Sequence, residues 1–226
     1  MNKILVPYDF SSIAKNALNL AAELAEKVKN CSVTVINVIE HPTPETLKTM
    51  GISDVDPMEE LYIGKLMKTI EEKLEIVVAD STYADIDIKY KIVIGQPFKE
   101  ISEVISTQKI DLVVMGTSGS DGLEEFLVGS QAERMVRFST CPVITVQKES
   151  HIEDIETIVF ASNFEDIPAA FIYKLKALQE GFDAHLNVVK INTPASFTTT
   201  RHDKKQIEEF IQGFDIKNCS YDIYNY

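Results

Sequence analysis

Apolar and polar positions along the chain alternate between two patterns. Short runs rich in Val and Ile read as strands: Lys3-Ile-Leu-Val-Pro7, Ser32-Val-Thr-Val-Ile-Asn-Val38, Asp87-Ile-Lys-Tyr-Lys-Ile-Val-Ile94, Ile110-Asp-Leu-Val-Val-Met115 and Cys141-Pro-Val-Ile-Thr-Val146. Between them, apolar residues recur at helical spacing. Ser11 or Ser12 can cap a helix running to about Lys29, with Ala14, Ala17, Leu18, Ala21, Leu24, Ala25 and Val28 on its inner face. Pro57 suits the first helical position and opens a long helix to about Ala79, after a loop holding Pro42, Pro44 and Gly51. Gly95-Gln-Pro97 turns into a short helix ending near Thr107, and Gln131 to Phe138 forms another. Strands alternating with helices predict an α/β fold in which a parallel sheet is covered on both faces. Right-handed crossovers favour a doubly wound, Rossmann-like five-stranded sheet in the order 3-2-1-4-5. In that order ligands bind at the switch point beyond strands 1 and 4.

The polar stretch Gln147 to Asp154 reads as a linker, and after it the pattern restarts. Thr157-Ile-Val-Phe-Ala-Ser-Asn-Phe164 echoes Lys3-Ile-Leu-Val-Pro-Tyr-Asp-Phe10. Ile167 to Glu180 echoes the first helix, and His185 to Ile191 echoes the second strand. Lys204 to Phe214 is a further helix, and Ser220 to Tyr226 a third strand. Self-similarity of this kind predicts two copies of one unit, a full domain over residues 1–148 and a partial copy over 155–226. The second copy has no fourth strand, no glycine loop and no fifth strand. Thr198-Thr-Thr-Arg-His202 reads as a solvated loop.

Composition narrows the function classes. With 22 basic and 35 acidic side chains the formal charge is −13, which argues against nucleic acid or an anionic membrane as the main partner. No apolar run approaches the ~20 residues of a membrane span. The first residues enter a strand at once and show no signal-peptide pattern. Cys31, Cys141 and Cys219 are odd in number and far apart, with neither metal spacing nor a disulfide framework, so a reducing cytoplasm is expected.

The chemistry-bearing stretch is Gly116-Thr117-Ser118-Gly119, nine further residues, then Gly129-Ser130. It fills the crossover between the fourth strand and the helix at Gln131. Glycine there permits positive φ and close backbone approach to a ligand. The helix start after Gly129-Ser130 offers N–H groups and a positive dipole end, which suits phosphate. Ser130-Gln-Ala-Glu133 also fits a capping box, a role compatible with ligand binding.

These residues resemble the universal stress protein family. The spacing Gly116-x2-Gly119-x9-Gly129-Ser130 is similar to that family's nucleotide-binding signature. Asp111-Leu-Val-Val-Met115, Cys141-Pro-Val-Ile-Thr-Val146, the opening Lys3 to Asp9 and the Gly95-x-Pro97 turn fit as well. The resemblance covers residues 1 to about 148, and the remainder looks like a truncated second copy of the tandem type. It implies an adenine-nucleotide-binding stress-response regulator or sensor that acts through nucleotide-dependent association, with ATP, ADP or AMP as ligand and Mg2+ as companion. Asp9 would lie near ribose and metal, the backbone at Pro7 and Val38 would line the adenine pocket, and Met115 would pack on the base. Gly116 and Gly119 would turn N–H groups towards phosphate, which Gly129, Ser130 and Gln131 would hold. Each has an ordinary alternative: Asp9 as part of the turn before the first helix, Pro7 and Val38 as strand ends, Met115 as core, the glycines as turn formers.

Between Gly119 and Gly129 the family often carries basic residues, whereas this chain has Asp121, Glu124 and Glu125. Carboxylates repel a triphosphate unless a cation intervenes or they face solvent. The resemblance also implies a homodimer through the edge strand Val143 to Val146. Asn163 and Ala161 stand where the first copy has Asp9 and Pro7, so no nucleotide site is expected in the second copy. There is no Gly-x4-Gly-Lys-Ser/Thr loop and no Gly-x-Ser-x-Gly elbow. His41, His151, His185 and His202 lack metal spacing, and no motif places an acid/base pair. A dedicated catalyst is therefore not expected. A nucleotide-free scaffold and a slow ATPase are the rival readings.

Overall fold

The computed structural model describes residues 1–28, 30–41, 57–117, 130–193 and 198–225, apart from the side chains of Pro57, Glu59, Glu60 and Ser130. The chain divides into two compact units, Met1–His151 and Ile152–Tyr226. The loop with Pro42, Pro44 and Gly51, and the segment holding Gly119, Asp121, Glu124, Glu125 and Gly129, lie outside the described residues.

In unit 1, β1 (Lys3–Pro7), β2 (Ser32–Ile39), β3 (Asp87–Ile94), β4 (Leu112–Gly116) and β5 (Val143–Val146) form one parallel sheet in the order β3-β2-β1-β4-β5. Helix α1 (Ser12–Lys27) begins where the Ser11 hydroxyl accepts the Ala14 N–H at 3.1 Å. Its Ala17, Leu18, Ala21 and Leu24 are fully buried. The long α2 (Pro57–Val78) precedes β3, and α3 (Pro97–Gln108) follows it. Lys109, in the left-handed region at φ 55°, stops α3. The short α4 (Ser130–Phe138) leads into β5.

One face of the sheet, built from Leu5, Ile36, Val113 and Met115, is sealed by Ile101, Val104 and Ile105 of α3 and by Ala132 and Met135 of α4. The Asp111 carboxylate accepts the N–H groups of Asn2 (2.8 Å) and Lys3 (3.2 Å), which ties the start of β1 to the start of β4.

Unit 2 holds β6 (Thr157–Ala161), α5 (Ala169–Phe182), β7 (His185–Asn192), α6 (Thr200–Gly213) and β8 (Cys219–Asn225). Among the described residues its sheet is parallel in the order β6-β7-β8, matching β1-β2-β3. Helices α5 and α6 bury one face around Phe160, Ile172, Leu186, Val188 and Ile207. Residues alternate across a strand, so Thr157, Val159, Ala161, Ile191, Ser220, Asp222 and Tyr224 share the opposite face, and all are exposed. That face carries cross-strand polar pairs, His185–Ser220 at 2.8 Å and Asn187–Asp222 at 3.0 Å. In unit 1 the same face lies under α3 and α4.

Two sequence expectations change. The stretch Thr198 to His202 is not a solvated loop. Thr199 caps α6 by accepting the His202 N–H, the helix starts at Thr200, and the Thr198 hydroxyl donates to the Asp203 carboxylate. A threonine before a charged first turn is a capping signal, which outweighs the local polarity. The linker is also less featureless than its composition implies. Ile152–Asp154 form a single 3₁₀ turn with Ile152 buried, and the His151 ring meets the Glu23 carboxylate at 2.7 Å. Among the described residues no helix is long and apolar enough to cross a membrane.

Candidate functional site

Beyond the C-terminal ends of β1, β2 and β4 lies a cleft of about 250 Å³. Of the residues singled out by sequence, Pro7, Asp9, Val38, Met115, Gly116 and Gln131 all line it. Pro7 and Gly116 end β1 and β4, Val38 lies near the end of β2, and Gln131 sits in the first turn of α4. Met115 is buried, Val38 half-buried, and Asp9 and Gln131 exposed. Gly119, Gly129 and the side chain of Ser130 fall outside the described residues.

The Asp9 carboxylate accepts the Ser11 N–H at 2.9 Å, so the turn role is real, although the helix cap itself is Ser11. That bond uses Oδ1, and the exposed Asp9 still lines the cleft. Phe10 follows in the left-handed region at φ 68°, a conformation that non-glycine residues hold only when their surroundings demand it. Its ring meets Tyr8 edge-on at 5.4 Å, and the Lys73 ammonium lies 5.5 Å from its centre.

Gly116 serves a purpose the sequence did not reveal. It is the last strand residue and is not among those with positive φ. A Cβ there would lie 2.7 Å from Ile13 Cγ2 and 2.8 Å from the Ile13 carbonyl carbon. Glycine is therefore required by the first turn of α1, which packs directly on the strand end. Among the described residues, the glycine that does need its freedom is Gly95, at φ 150° in the turn before Pro97.

Sequence reasoning missed Asn37, Glu40, Pro97 and Ile101, which also line the cleft. Asn37 is buried, and its amide donates to the Tyr8 carbonyl at 2.7 Å, holding the turn that carries Asp9. A lone amide in the apolar run Val33 to Ile39 was the available signal. Burial and the nearby Asp9 charge raise the Tyr8 phenol. Burial, Tyr8 and Asp80 push the Tyr83 phenol up to about 12, and its hydroxyl bonds Asn19 at 2.6 Å. Neither phenol is an acid or base for chemistry near neutrality.

The model of the universal stress protein family matches residues 1–147. This chain belongs to the universal stress protein family. Universal stress protein MJ0531 of Methanocaldococcus jannaschii is 33% identical over 151 residues, covering 65% of this chain and 82% of its own length. A solved structure of MJ0577 from the same organism is 27% identical, covers 66% of this chain and 97% of that one, and gives a TM-score of 0.51. A universal stress protein from Archaeoglobus fulgidus gives a TM-score of 0.73 over 100% of this chain and 79% of its own, at 17% identity, a likeness of fold alone.

Within this universal stress protein, unit 2 offers the same strand ends in another state. Pro7 pairs with Ile36 and Ala161 with Val189, so Lys190 stands where unit 1 has Asn37. Lys190 and Asp203 are buried and paired at 2.8 Å. Asp203 also accepts from Asn192 at 2.7 Å, and Lys190 donates to Gln206 at 2.8 Å. Gln206 in turn donates to the Phe164 carbonyl at 3.2 Å. Burial alone would raise the Asp203 carboxyl. Hydrogen bonds from Asn192, Lys190 and Thr198, with the Lys190 charge, outweigh it and hold the group at about 2.

A second cavity, of about 290 Å³, lies at the opposite ends of the strands, beside Lys176, Gln179, Asp183 and Asp215. Its polar groups are engaged in joining loops. Gln179 donates to the carbonyls of Lys217 and Asn218, and Lys176 to those of Phe214 and Asp215.

Proposed function

We propose that the protein binds an adenine nucleotide in the unit 1 cleft and acts as a stress-response regulator whose association with partners depends on that nucleotide. The observation that carries this reading is the convergence of Asp9, Val38, Met115, Gly116 and Gln131 on one cleft at the switch point of a universal stress protein domain. Val38, Ile101, Pro97 and Met115 offer apolar walls for a base, and Asp9 offers an acceptor for ribose hydroxyls. The cleft is somewhat smaller than the ~300 Å³ lower bound of drug-sized pockets, which suits a nucleoside moiety. By the family resemblance Gly119, Gly129 and Ser130 would hold the phosphates, and Gln131 lines the cleft.

The described lining contains two carboxylates, Asp9 and Glu40, and no cationic side chain. That favours ATP carried as its Mg2+ complex, or a less charged adenine nucleotide, over the bare triphosphate. It also lends weight to the second reading, a scaffold that binds no nucleotide. Among the described residues the cleft shows no positioned acid/base pair, and any ATP hydrolysis would on this reading be slow. A reducing cytoplasm and a homodimer formed through the uncharged edge of β5, Val143 to Val146, belong to the same proposal.

Thermal unfolding with and without millimolar Mg-ATP tests the reading. Ligand at about 100 times its Kd adds about 2.7 kcal/mol to stability, a shift of several degrees. No shift with ATP, ADP or AMP, and no nucleotide released from freshly purified protein, would leave the scaffold reading standing.

A further inference from the structure

Charge around the unit 1 cleft is one-sided. The described lining carries Asp9 and Glu40 and no cation. Helix α4, which contributes Gln131 to that lining, also carries Arg134 and Arg137. Arg137 is engaged by Glu133 at 2.9 Å. Arg134 is exposed and has no carboxylate partner among the described residues; its contact is with the ring of Phe98.

Helical spacing sets where Arg134 stands. Gln131, Arg134 and Phe138 fall on one side of α4, three and four residues apart. That side meets α3. The Arg134 guanidinium lies 4.6 Å from the centre of the Phe98 ring, and Phe138 meets the same ring edge-on at 6.2 Å. The sequence neighbours of both groups belong to the cleft: Pro97 and Ile101 line it from α3, and Gln131 from α4. Three residues of helix rise about 4.5 Å. A helical side chain also leans back towards the N-terminus, here the end that reaches the cleft. Arg134 therefore occupies the seam between α3 and α4, one turn below the cleft wall.

We infer that Arg134 reads the phosphate charge of the ligand in this cleft, leaving the Phe98 ring to pair with an anionic group that lies beside Gln131. The inference rests on the nucleotide reading above and names the residue that tells a nucleotide from a nucleoside. A cation–π contact at an exposed site is weak, whereas a guanidinium pairs with phosphate through two parallel charge-assisted hydrogen bonds. The exchange thus favours phosphate. Until an anion arrives, the ring keeps the side chain close to the cleft. Arg134 in this way supplies positive charge that the described lining lacks, and it offsets Asp9 and Glu40.

Binding of adenosine, AMP, Mg-ADP and Mg-ATP, measured by titration calorimetry on the full-length protein, tests this. Arg134→Gln should weaken the three phosphate-bearing ligands by about tenfold and leave adenosine nearly unchanged. Arg137→Gln removes the same charge from the same helix and should match wild type on all four. Added salt should erode Mg-ATP binding more in wild type than in Arg134→Gln. Both arginines are exposed, so the ligand-free melting temperatures should stay close to wild type. Equal losses on adenosine and Mg-ATP, no loss at all, or equal losses from the two arginines would overturn the inference and leave nucleotide binding intact. Failure of wild type to bind any of the four would overturn it together with the reading on which it rests.

Discussion

After β1 the chain turns through Asp9 and Phe10, and after β6 it turns through Asn163 and Phe164. In both places the side-chain oxygen of the first residue accepts an N–H two residues on, from Ser11 at 2.9 Å and from Glu165 at 3.1 Å. In both places the phenylalanine is left-handed, at φ 68° and 63°. The next strand holds each turn the same way, through Tyr8 N–H to the Ile36 carbonyl and Ser162 N–H to the Val189 carbonyl. What differs is one position further along that strand. Asn37 is neutral, spends its amide on the turn, and leaves a cleft beside Asp9 and Met115. Lys190 is charged and buried, and the first two turns of α6 answer it with Asp203 and Gln206. The same backbone device thus frames an open cleft in one unit and an internal ion pair in the other. A strand–turn–helix scaffold does not by itself make a cleft; the side chain beside the turn on the neighbouring strand, Asn37 or Lys190, is one thing that sets the two units apart.

The comparison can be broken most forcefully at the ion pair. Asp203→Ala leaves Lys190 charged and buried alone, and should destabilise unit 2 by about 3–5 kcal/mol, seen as faster amide hydrogen exchange in β7 and α6. A double change, Lys190→Met with Asp203→Leu, should restore most of the loss. The pair also sets a pH limit. The folded Asp203 carboxyl titrates at about 2, below its ordinary 3.8. Its contribution is therefore present above pH 3.8 and lost as pH falls from there towards 2. Asp203→Asn should lack that acid limb.

A smaller effect is expected at Gly116. Gly116→Ala places a methyl group against the Ile13 backbone, which cannot rotate away, and should destabilise unit 1 by about 1–3 kcal/mol without changing the denaturant slope. The smallest effect sharpens the comparison most. Asp9→Ala and Asn163→Ala each remove one turn bond, worth about 0.5–1.5 kcal/mol. Only Asp9→Ala should also shrink the Mg-ATP melting shift. An equal loss from Asn163→Ala would mean that the two turns do not divide the work in this way.

Much of this was legible in the chain. The strand patterns, the Ser11 cap and Pro97 at the head of α3 are local signals, and the order β3-β2-β1-β4-β5 followed from crossover handedness. Pro7, Asp9, Val38, Met115, Gly116 and Gln131 were named from four separate stretches by the family resemblance, and they meet because the switch point brings the strand ends together. What the chain did not reveal is of long-range origin. Lys190 and Asp203 look like surface charges when each is taken alone, and only the docking of α6 on β7 makes them partners. Gly116 looked like a loop former because its true neighbour, Ile13, lies about a hundred residues earlier in the chain. The polar stretch before β6 concealed the buried Ile152, since a single apolar residue has no period.

The contact between Gly116 and the first turn of α1 has a consequence for how the glycine signature is inherited. Helix packing alone forbids a side chain at this position, whatever the cleft holds. A descendant that ceased to bind any ligand would still be under pressure to keep the first glycine of the motif, while Gly119 and Gly129 would be released from any constraint that a ligand imposes. Loss of function in this lineage should therefore be read from the later glycines, with the first one surviving as an architectural fossil.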